Sequence, residues 1–142
     1  LFEPEFGVAD LKNDAVNALG SFDTAVTVTT PDDIGVLTAE IVFFEPTISN
    51  AIVFLAGDTV TYGELADKVE AGLKRPFRRS EWTVPVLMGE LANDPQNMMR
   101  KYRAAFGIGR GMAWEKAGTF NVREGIKVTD VSDWINANLS GN

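Results

Sequence analysis

The sequence predicts an α+β fold with three parts: a small antiparallel, β-rich N-terminal half, a helical middle, and a C-terminal segment of strand plus helix. Alternating β-branched residues are concentrated before residue 60, whereas apolar residues recur at helical spacing between residues 61 and 106. Runs of strands followed by runs of helices are typical of the α+β class. With 142 residues, of which 45% are hydrophobic, the chain suits a single domain over 1–142 that buries its own core.

The first twenty residues are predicted to form an arm and a short helix. Residues 1–7 carry Phe2 and Phe6 in an otherwise acidic stretch, which favours an extended arm with two aromatic anchors. The stretch 10–19 carries apolar residues at i, i+4, i+7 and i+8, and Gly20, a residue type that often ends helices, follows it. We therefore expect an amphipathic helix there.

Three strands are predicted to follow this helix. Residues 25–30 alternate in polarity and are rich in β-branched side chains, and the Pro-Asp-Asp sequence at 31–33 predicts a turn. Residues 36–44 and 48–55 are the next two predicted strands. Because the stretch 51–56 is apolar on both faces, we expect it to be central in the sheet or covered by another element.

Helices are predicted to dominate the middle of the chain. Thr61 and Glu64 have the spacing of a capping box, which begins a helix of about three turns. A basic connector follows at 74–80. Pro85 and then Asp94, which precedes another proline, mark the first turns of two further helices.

The last part of the chain is predicted to contain two short strands, at 119–122 and 126–128, and a final helix capped by Asp130. The glycine-rich stretch 107–111 precedes them. A loop that cradles the phosphates of a nucleotide follows a strand and opens a helix. This stretch instead follows a predicted helix and lacks the lysine of a P-loop, so we interpret it as a flexible elbow.

The chain contains no histidine and no cysteine. These two side chains carry most proton transfer, thiol chemistry and transition-metal binding near neutral pH. Paired carboxylates can still catalyse, but twenty acidic residues make any one pair uninformative. The acids at 32–33, and at 10 and 14, could touch a hard cation but lack the spacing of a calcium loop. The inventory therefore predicts a protein that is not an enzyme and has no cofactor or metal site.

Charge is distributed unevenly along the chain. Residues 1–60 hold ten acids and one base, and residues 68–116 hold ten bases and five acids. Opposite charges on two regions can steer copies of a protein, or neighbouring acidic proteins, towards each other. The alternative is that both regions are solvated or paired within the fold. Under the assembly hypothesis the interface would use aromatic anchors and the basic connector: Phe2, Phe6, Arg75, Phe77, Arg78, Arg79, Trp82 and Trp114.

Nucleic-acid binding is the second hypothesis, since cations and aromatic residues are mixed in the segment 74–110. The basic residues that would contact phosphates are Arg100, Lys101, Arg103 and Arg110. The net charge of −7 argues against a polyanionic partner. The stretch 60–66 (Val-Thr-Tyr-Gly-Glu-Leu-Ala) resembles the segment that opens the winged-helix domain of alkylguanine-DNA alkyltransferases. Their activity needs a Pro-Cys-His-Arg site, which this chain lacks.

The last quarter of the chain is similar to the closing segment of tailed-phage head decoration proteins. The similarity rests on Gly-Thr-Phe-Asn-Val at 118–122, Ile-Lys-Val at 126–128 and the helix from 130 to 139. It implies a non-enzymatic structural protein that decorates or joins capsid or tail subunits through protein–protein contacts. Such a protein would reside in the virion; without this resemblance a cytoplasmic location is expected, because no apolar run is long enough to span a membrane.

Overall fold

The computed structural model describes residues 1–139. These residues contain five strands, six α-helices and one short 3-10 turn at Lys116–Gly118. The strands are β1 (Ala9–Asp10), β2 (Ala15–Leu19), β3 (Ala25–Val28), β4 (Asp58–Thr61) and β5 (Arg78–Trp82). The helices are α1 (Pro31–Val42), α2 (Tyr62–Leu73), α3 (Val84–Asn93), α4 (Met98–Ile108), α5 (Phe120–Arg123) and α6 (Val131–Asn138). The predicted α+β class, with strands towards the N-terminus, is confirmed.

The strands form two small sheets. In the first, β2 is the central strand, antiparallel to β1 and parallel to β5. All five residues of β2 are buried, as expected for a strand covered on both faces. In the second sheet β3 pairs with β4 in antiparallel register, so that Thr27 lies opposite Thr59. The second sheet is thus antiparallel, as expected for the N-terminal half, whereas the first sheet is mixed.

Helix α2 begins as the capping-box spacing predicted. The Thr61 hydroxyl accepts a hydrogen bond from the Glu64 amide at 3.1 Å, and the Glu64 carboxylate accepts one from the Thr61 amide at 2.8 Å. Asp130 caps α6 by accepting from the Asp133 amide at 2.8 Å, again as predicted. Helix α4 is capped by Asn97 instead of Asp94, because the side-chain Oδ1 of Asn97 accepts a hydrogen bond from the Arg100 amide at 3.2 Å.

The hydrophobic core lies between β2, the two sheets and helices α2 and α6. Its fully buried side chains come mainly from the central strand, from one face of α2 and from single residues of the other helices. The basic connector at 74–80 contributes one residue to this core, Phe77, which is 5% exposed. The core members with the largest side chains are Leu19, Tyr62, Leu65, Phe77, Leu87 and Ile135.

The predicted helix over 10–19 is wrong. This stretch forms part of β1, a turn and all of β2. The apolar spacing that predicted a helix also arises when a strand is buried on both faces, and tertiary packing decides between the two. Gly20, expected to end a helix, ends β2 with a φ of +88°. A Cβ there would collide with the carbonyl oxygen of Gly107, so a glycine is required by both conformation and space.

The predicted strands at 36–44 and 48–55 are also wrong. Residues up to Val42 belong to α1, and 48–55 has no regular secondary structure. The Pro-Asp-Asp sequence at 31–33, which predicted a turn, begins helix α1 instead. The Thr30 hydroxyl accepts a hydrogen bond from the Asp33 amide at 3.1 Å, and Pro31 lies in the first turn of the helix.

The C-terminal strands expected at 119–122 and 126–128 are absent from the described part of the chain. The first is mostly the short helix α5, and the second is irregular. The first segment is helical because the amides of Arg123 and Glu124 bond to the carbonyls of Thr119 and Phe120, four residues earlier. Within residues 1–139, no helix is both long and apolar enough to cross a bilayer.

Candidate functional site: an aromatic groove

A groove of about 560 Å³ opens beside β3. One wall is the irregular segment 53–55 with Trp114, and the other is the N-terminal arm with Phe106 of α4. Between them lie Thr27 and Val28 of β3. Rings and branched aliphatic side chains therefore surround most of this space, which is the usual character of a small-molecule site.

The Trp114 wall is held in place by a set of hydrogen bonds to both strands of the second sheet. The Thr27 hydroxyl accepts from the Trp114 amide at 3.0 Å, and the Thr59 hydroxyl donates to the Trp114 carbonyl at 3.0 Å. The two hydroxyl oxygens lie 2.8 Å apart, so Thr27 donates to Thr59 in the arrangement that satisfies all three groups.

The indole ring of Trp114 is fixed as well as its backbone. Its Nε1 donates to the carbonyl of Leu55 at 2.9 Å, and its ring lies 5.3 Å from that of Phe54 at an angle of 51°. Because both the main chain and the ring nitrogen are bonded, the ring presents a preformed flat surface to the groove.

The opposite wall depends on Arg103 of α4. Its guanidinium donates to the carbonyls of Phe6 at 3.0 Å and Glu5 at 2.6 Å, and it lies 4.9 Å from the ring of Trp82. The ring of Phe6 meets that of Phe106 edge to face, with centroids 5.4 Å apart. These contacts fix the arm against the helix.

A second cavity of about 260 Å³ adjoins the groove and shares Leu1, Val28 and Thr29 with it. Trp134 lines it, and Phe2 stacks on that indole with centroids 4.5 Å apart and an interplanar angle of 19°. The arm therefore separates two adjacent apolar spaces.

The groove is lined mainly by apolar side chains. Among the described residues, no side chain that lines it carries a charge. The part of the chain that the structure describes also holds no group of three His, Cys, Asp or Glu residues that could bind a metal ion. An uncharged, largely apolar molecule fits these properties, since a buried charge without a partner is costly.

Residues predicted for a protein interface are largely engaged within the chain. Arg75 pairs with Asp14 at 2.8 Å, and Arg79 pairs with Asp67 at 2.6 Å and Glu70 at 2.9 Å. Hydrogen bonds from Arg79 and from the Phe77 amide lower the pKa of the Glu70 carboxyl. The other members are Phe2, Phe6 and Trp114 beside the cavities, Phe77 in the core, Trp82 half-buried under Arg103, and exposed Arg78.

The basic residues of the nucleic-acid hypothesis do not form one free surface. Arg100 donates to the Glu90 carbonyl at 2.9 Å and lies 3.9 Å from Asp94, while Arg103 holds the arm. Lys101 and Arg110 are exposed. Two of the four cations are therefore committed to contacts within the chain.

Sequence reasoning missed most of the groove. Thr27 and Phe106 were predicted only as parts of a strand and a helix, Thr59 was given no role, and Trp114 was placed at an interface. The apolar stretch 51–56 was expected to be central in a sheet or covered; instead Ile52 is 83% and Phe54 49% exposed, and part of the stretch lines the groove.

Comparison with known proteins places this geometry in context. No family model matches the chain. It is 40% identical over 136 residues to an "NmrA-like family domain-containing oxidoreductase" of Gibberella moniliformis (strain M3125 / FGSC 7600). The match covers 95% of this chain but 44% of the relative, so the chain spans less than half the length of that protein.

The fold is shared with a solved structure described as "AtPrR2 in apo form". The TM-score is 0.67 at 14% sequence identity, and the match covers 87% of this chain and 44% of that one. At this identity the similarity concerns the fold alone.

These findings overturn the functional expectations. The prediction of a non-enzymatic virion component that decorates capsids or tails is wrong, and so is the prediction that the chain has no enzymatic role, because its relative is an oxidoreductase. The nucleic-acid alternative is superseded by the same finding. A virion location has no support. Neither the structure nor these comparisons test the resemblance of residues 118–139 to head decoration proteins.

Proposed function

We propose that this chain is the substrate-binding part of an NmrA-like oxidoreductase, and that it holds an uncharged, largely apolar substrate in the aromatic groove. The observation that carries the proposal is the preformed wall of Trp114, fixed at its amide, carbonyl and ring nitrogen beside a space of about 560 Å³. The relation to an oxidoreductase over 95% of this chain supplies the reaction class.

The redox cofactor of such an enzyme does not fit the residues of this chain. A dinucleotide is held by a glycine-rich turn that follows a strand and opens a helix. Here the glycine-rich stretch 107–111 ends α4, and Gly109 takes a φ of +71° as the cap of that helix. We therefore assign cofactor binding to protein outside this chain, which agrees with a match that covers 44% of the relative.

The chain's own contribution is then binding and positioning. A flat substrate would lie against Trp114 and Phe54, and the arm at Phe6 would close its other side. Apolar walls displace water from the substrate, and rigid walls reduce the entropy lost on binding. The reacting groups would come from outside the groove, because its lining holds no ionisable side chain in residues 1–139.

Binding of N-phenyl-1-naphthylamine, an uncharged apolar fluorophore, tests this proposal. We expect saturable fluorescence enhancement with one site per chain. Val53→Asp places a carboxylate in the groove wall and should weaken binding at least tenfold, since the charge must be desolvated. Val86→Asp, on an exposed position of α3, is the matched control and should bind as the wild type does.

Equal binding by Val53→Asp and the wild type, with both folded by circular dichroism, would refute the groove as the site. Absence of saturable binding by the wild type would refute it equally.

A further inference from the structure

Thr29 lies where the two cavities meet. It directly follows β3 and belongs to the lining of both the aromatic groove and the adjoining cavity of about 260 Å³, together with Leu1 and Val28. Of these three shared residues only Thr29 has a polar side chain. The side-chain chemistry of the junction therefore depends on one hydroxyl group.

The Thr29 hydroxyl oxygen is held in place by the backbone of the facing chain. Val28 lies opposite Asp58 in the second sheet, and Gly57 directly precedes Asp58. The Gly57 amide donates to the Val28 carbonyl at 2.9 Å and to the Thr29 hydroxyl oxygen at 3.1 Å. A Cβ on Gly57 would lie 2.9 Å from the Val28 carbonyl oxygen, so glycine permits this close approach.

The Thr29 hydroxyl still has a proton to donate. A threonine hydroxyl supplies one donor and two acceptor sites, and the Gly57 amide uses one of the acceptor sites. Among residues 1–139, no acceptor takes a hydrogen bond from this hydroxyl. The junction thus offers a donor whose oxygen is already fixed.

The other hydroxyls that line the two cavities are engaged. Thr27 donates to the facing threonine of β4 in the arrangement described above. Thr30 donates to the Asp33 carboxylate at 2.7 Å, and the Thr129 side chain contributes a hydrogen bond to the same carboxylate. Within the described part of the chain, Thr29 is therefore the threonine of these linings whose donor has no acceptor.

Charges near the junction restrict the ligand group that can meet this donor. Glu3 and Asp130 line the second cavity, and no lysine or arginine in residues 1–139 lines either cavity. A carboxylate or phosphate would face these two acids without a compensating cation, which is unfavourable. The acceptor that suits Thr29 is an uncharged oxygen.

We propose that Thr29 is a specificity-determining residue that donates a hydrogen bond to a neutral carbonyl oxygen of the substrate. This inference rests on the proposed function, and it narrows the substrate class to uncharged, largely apolar molecules that carry a carbonyl group. A carbonyl oxygen has lone pairs and no proton, so it complements a free donor. Apolar walls give affinity, whereas one directed hydrogen bond in an apolar space fixes the orientation of the ligand.

The test compares two uncharged naphthalene fluorophores, of which one carries a ketone. The ketone is 6-propionyl-2-(dimethylamino)naphthalene, and N-phenyl-1-naphthylamine has no oxygen atom. Thr29→Val removes the hydroxyl and keeps the branched shape. It should weaken binding of the ketone about three- to tenfold, as loss of one neutral hydrogen bond does, and move the emission of the bound ketone to shorter wavelength. Binding of N-phenyl-1-naphthylamine should be unchanged.

Three further variants isolate the role of the hydroxyl. Thr29→Ser keeps the donor and should restore both the affinity for the ketone and its emission wavelength. Thr47→Val makes the same exchange at an exposed position outside both linings and should bind both fluorophores as the wild type does. Val53→Asp should weaken binding of both fluorophores, because both occupy the groove. Circular dichroism verifies that each variant is folded.

Equal binding of the ketone by Thr29→Val and the wild type would overturn the inference. So would an equal loss of both fluorophores in Thr29→Val, since the hydroxyl would then act on the shape of the groove and not on the ligand. A wild type that binds N-phenyl-1-naphthylamine but not the ketone would also overturn it, with the groove intact. Absence of saturable N-phenyl-1-naphthylamine binding by the wild type would instead refute the groove, so the two failures are distinguishable.

Discussion

The side-chain amide of Asn121 forms both backbone hydrogen bonds of Ala56. Its Oδ1 accepts from the Ala56 amide at 3.1 Å, and its Nδ2 donates to the Ala56 carbonyl at 2.9 Å. Asn121 is 1% exposed and Ala56 is fully buried. One side chain thus replaces the strand that would otherwise pair with the chain at this point, and it ties α5 to the end of the groove wall.

Asn121→Ala should lower the free energy of unfolding by about 1–3 kcal/mol, because it leaves a buried N–H and a buried C=O without partners. Asn121→Asp should also destabilise, since it replaces the donor that faces the Ala56 carbonyl by an acceptor. Urea unfolding measures both. Asn93→Ala, at an exposed helix end, is the control and should stay within about 0.5 kcal/mol of the wild type.

Tyr62→Phe should leave stability unchanged or raise it by up to about 1 kcal/mol. The Tyr62 hydroxyl is buried and has no hydrogen-bond partner among residues 1–139, so its removal abolishes a desolvation cost and breaks no bond. Thermal unfolding tests this, and a loss above 1 kcal/mol would reveal a partner for the hydroxyl. Tyr62→Ala, which removes the whole ring from the core, should instead cost about 3–5 kcal/mol.

Burial raises the pKa of the Tyr62 phenol. Its ionised form is therefore disfavoured in the folded protein, and we expect its absorbance change at alkaline pH to coincide with unfolding. The experiment uses the Tyr102→Phe background, which removes the other, exposed tyrosine, and a change there that precedes loss of the circular dichroism signal would contradict this burial.

Alanine substitutions at two helix glycines should change the free energy of unfolding in opposite directions. A Cβ on Gly107 in α4 would collide with the side chain of buried Leu87, whereas a Cβ on Gly89 in α3 would meet nothing within 4 Å. We expect Gly107→Ala to destabilise by about 1–3 kcal/mol through overpacking and Gly89→Ala to stabilise by about 0.5–1 kcal/mol through helix propensity. Urea unfolding of the pair checks both signs.

Acid should destabilise the protein through Asp33 and Glu70. Burial raises the pKa of Asp33, but hydrogen bonds from the Thr30 hydroxyl and the Thr129 amide outweigh it, so the net shift is downward. The pKa of Glu70 is lowered by Arg79 and the Phe77 amide. A carboxyl with a lowered pKa contributes stability above its unfolded pKa, and this contribution is lost as pH falls through the folded value.

Stability should therefore decline below about pH 4.5, the ordinary range of these carboxyls. In the double variant Asp33→Asn with Glu70→Gln, the decline should be shallower when unfolding free energy is measured from pH 6 to pH 2. An unchanged slope would assign the acid sensitivity to other carboxyls. Asp32→Asn with Glu124→Gln, both at exposed positions, is the control.

The features that the sequence predicted well are those encoded by local contacts. The capping box of Thr61 and Glu64 and the Asp130 cap each involve residues three positions apart, and both are present. Helix α1 was missed although Thr30 and Pro31 form a helix start, because its apolar residues do not follow a one-sided helical period. A helix with apolar residues on several sides gives such a pattern.

The groove could not be predicted because its walls come from distant parts of the chain. Thr27, Phe54, Phe106 and Trp114 share no spacing, and they meet only because β3 and β4 pair and the arm returns to α4. The charge separation along the sequence was real, but several of the opposite charges pair within one chain, as Arg75 does with Asp14.

Arg103 binds the arm through hydrogen bonds to the main-chain oxygens of Glu5 and Phe6. These two hydrogen bonds do not involve the side chains of Glu5 and Phe6. The Phe6 position is consequently a natural place for ligand preference to diversify, because a different side chain there reshapes one side of the cleft while both main-chain bonds to Arg103 remain.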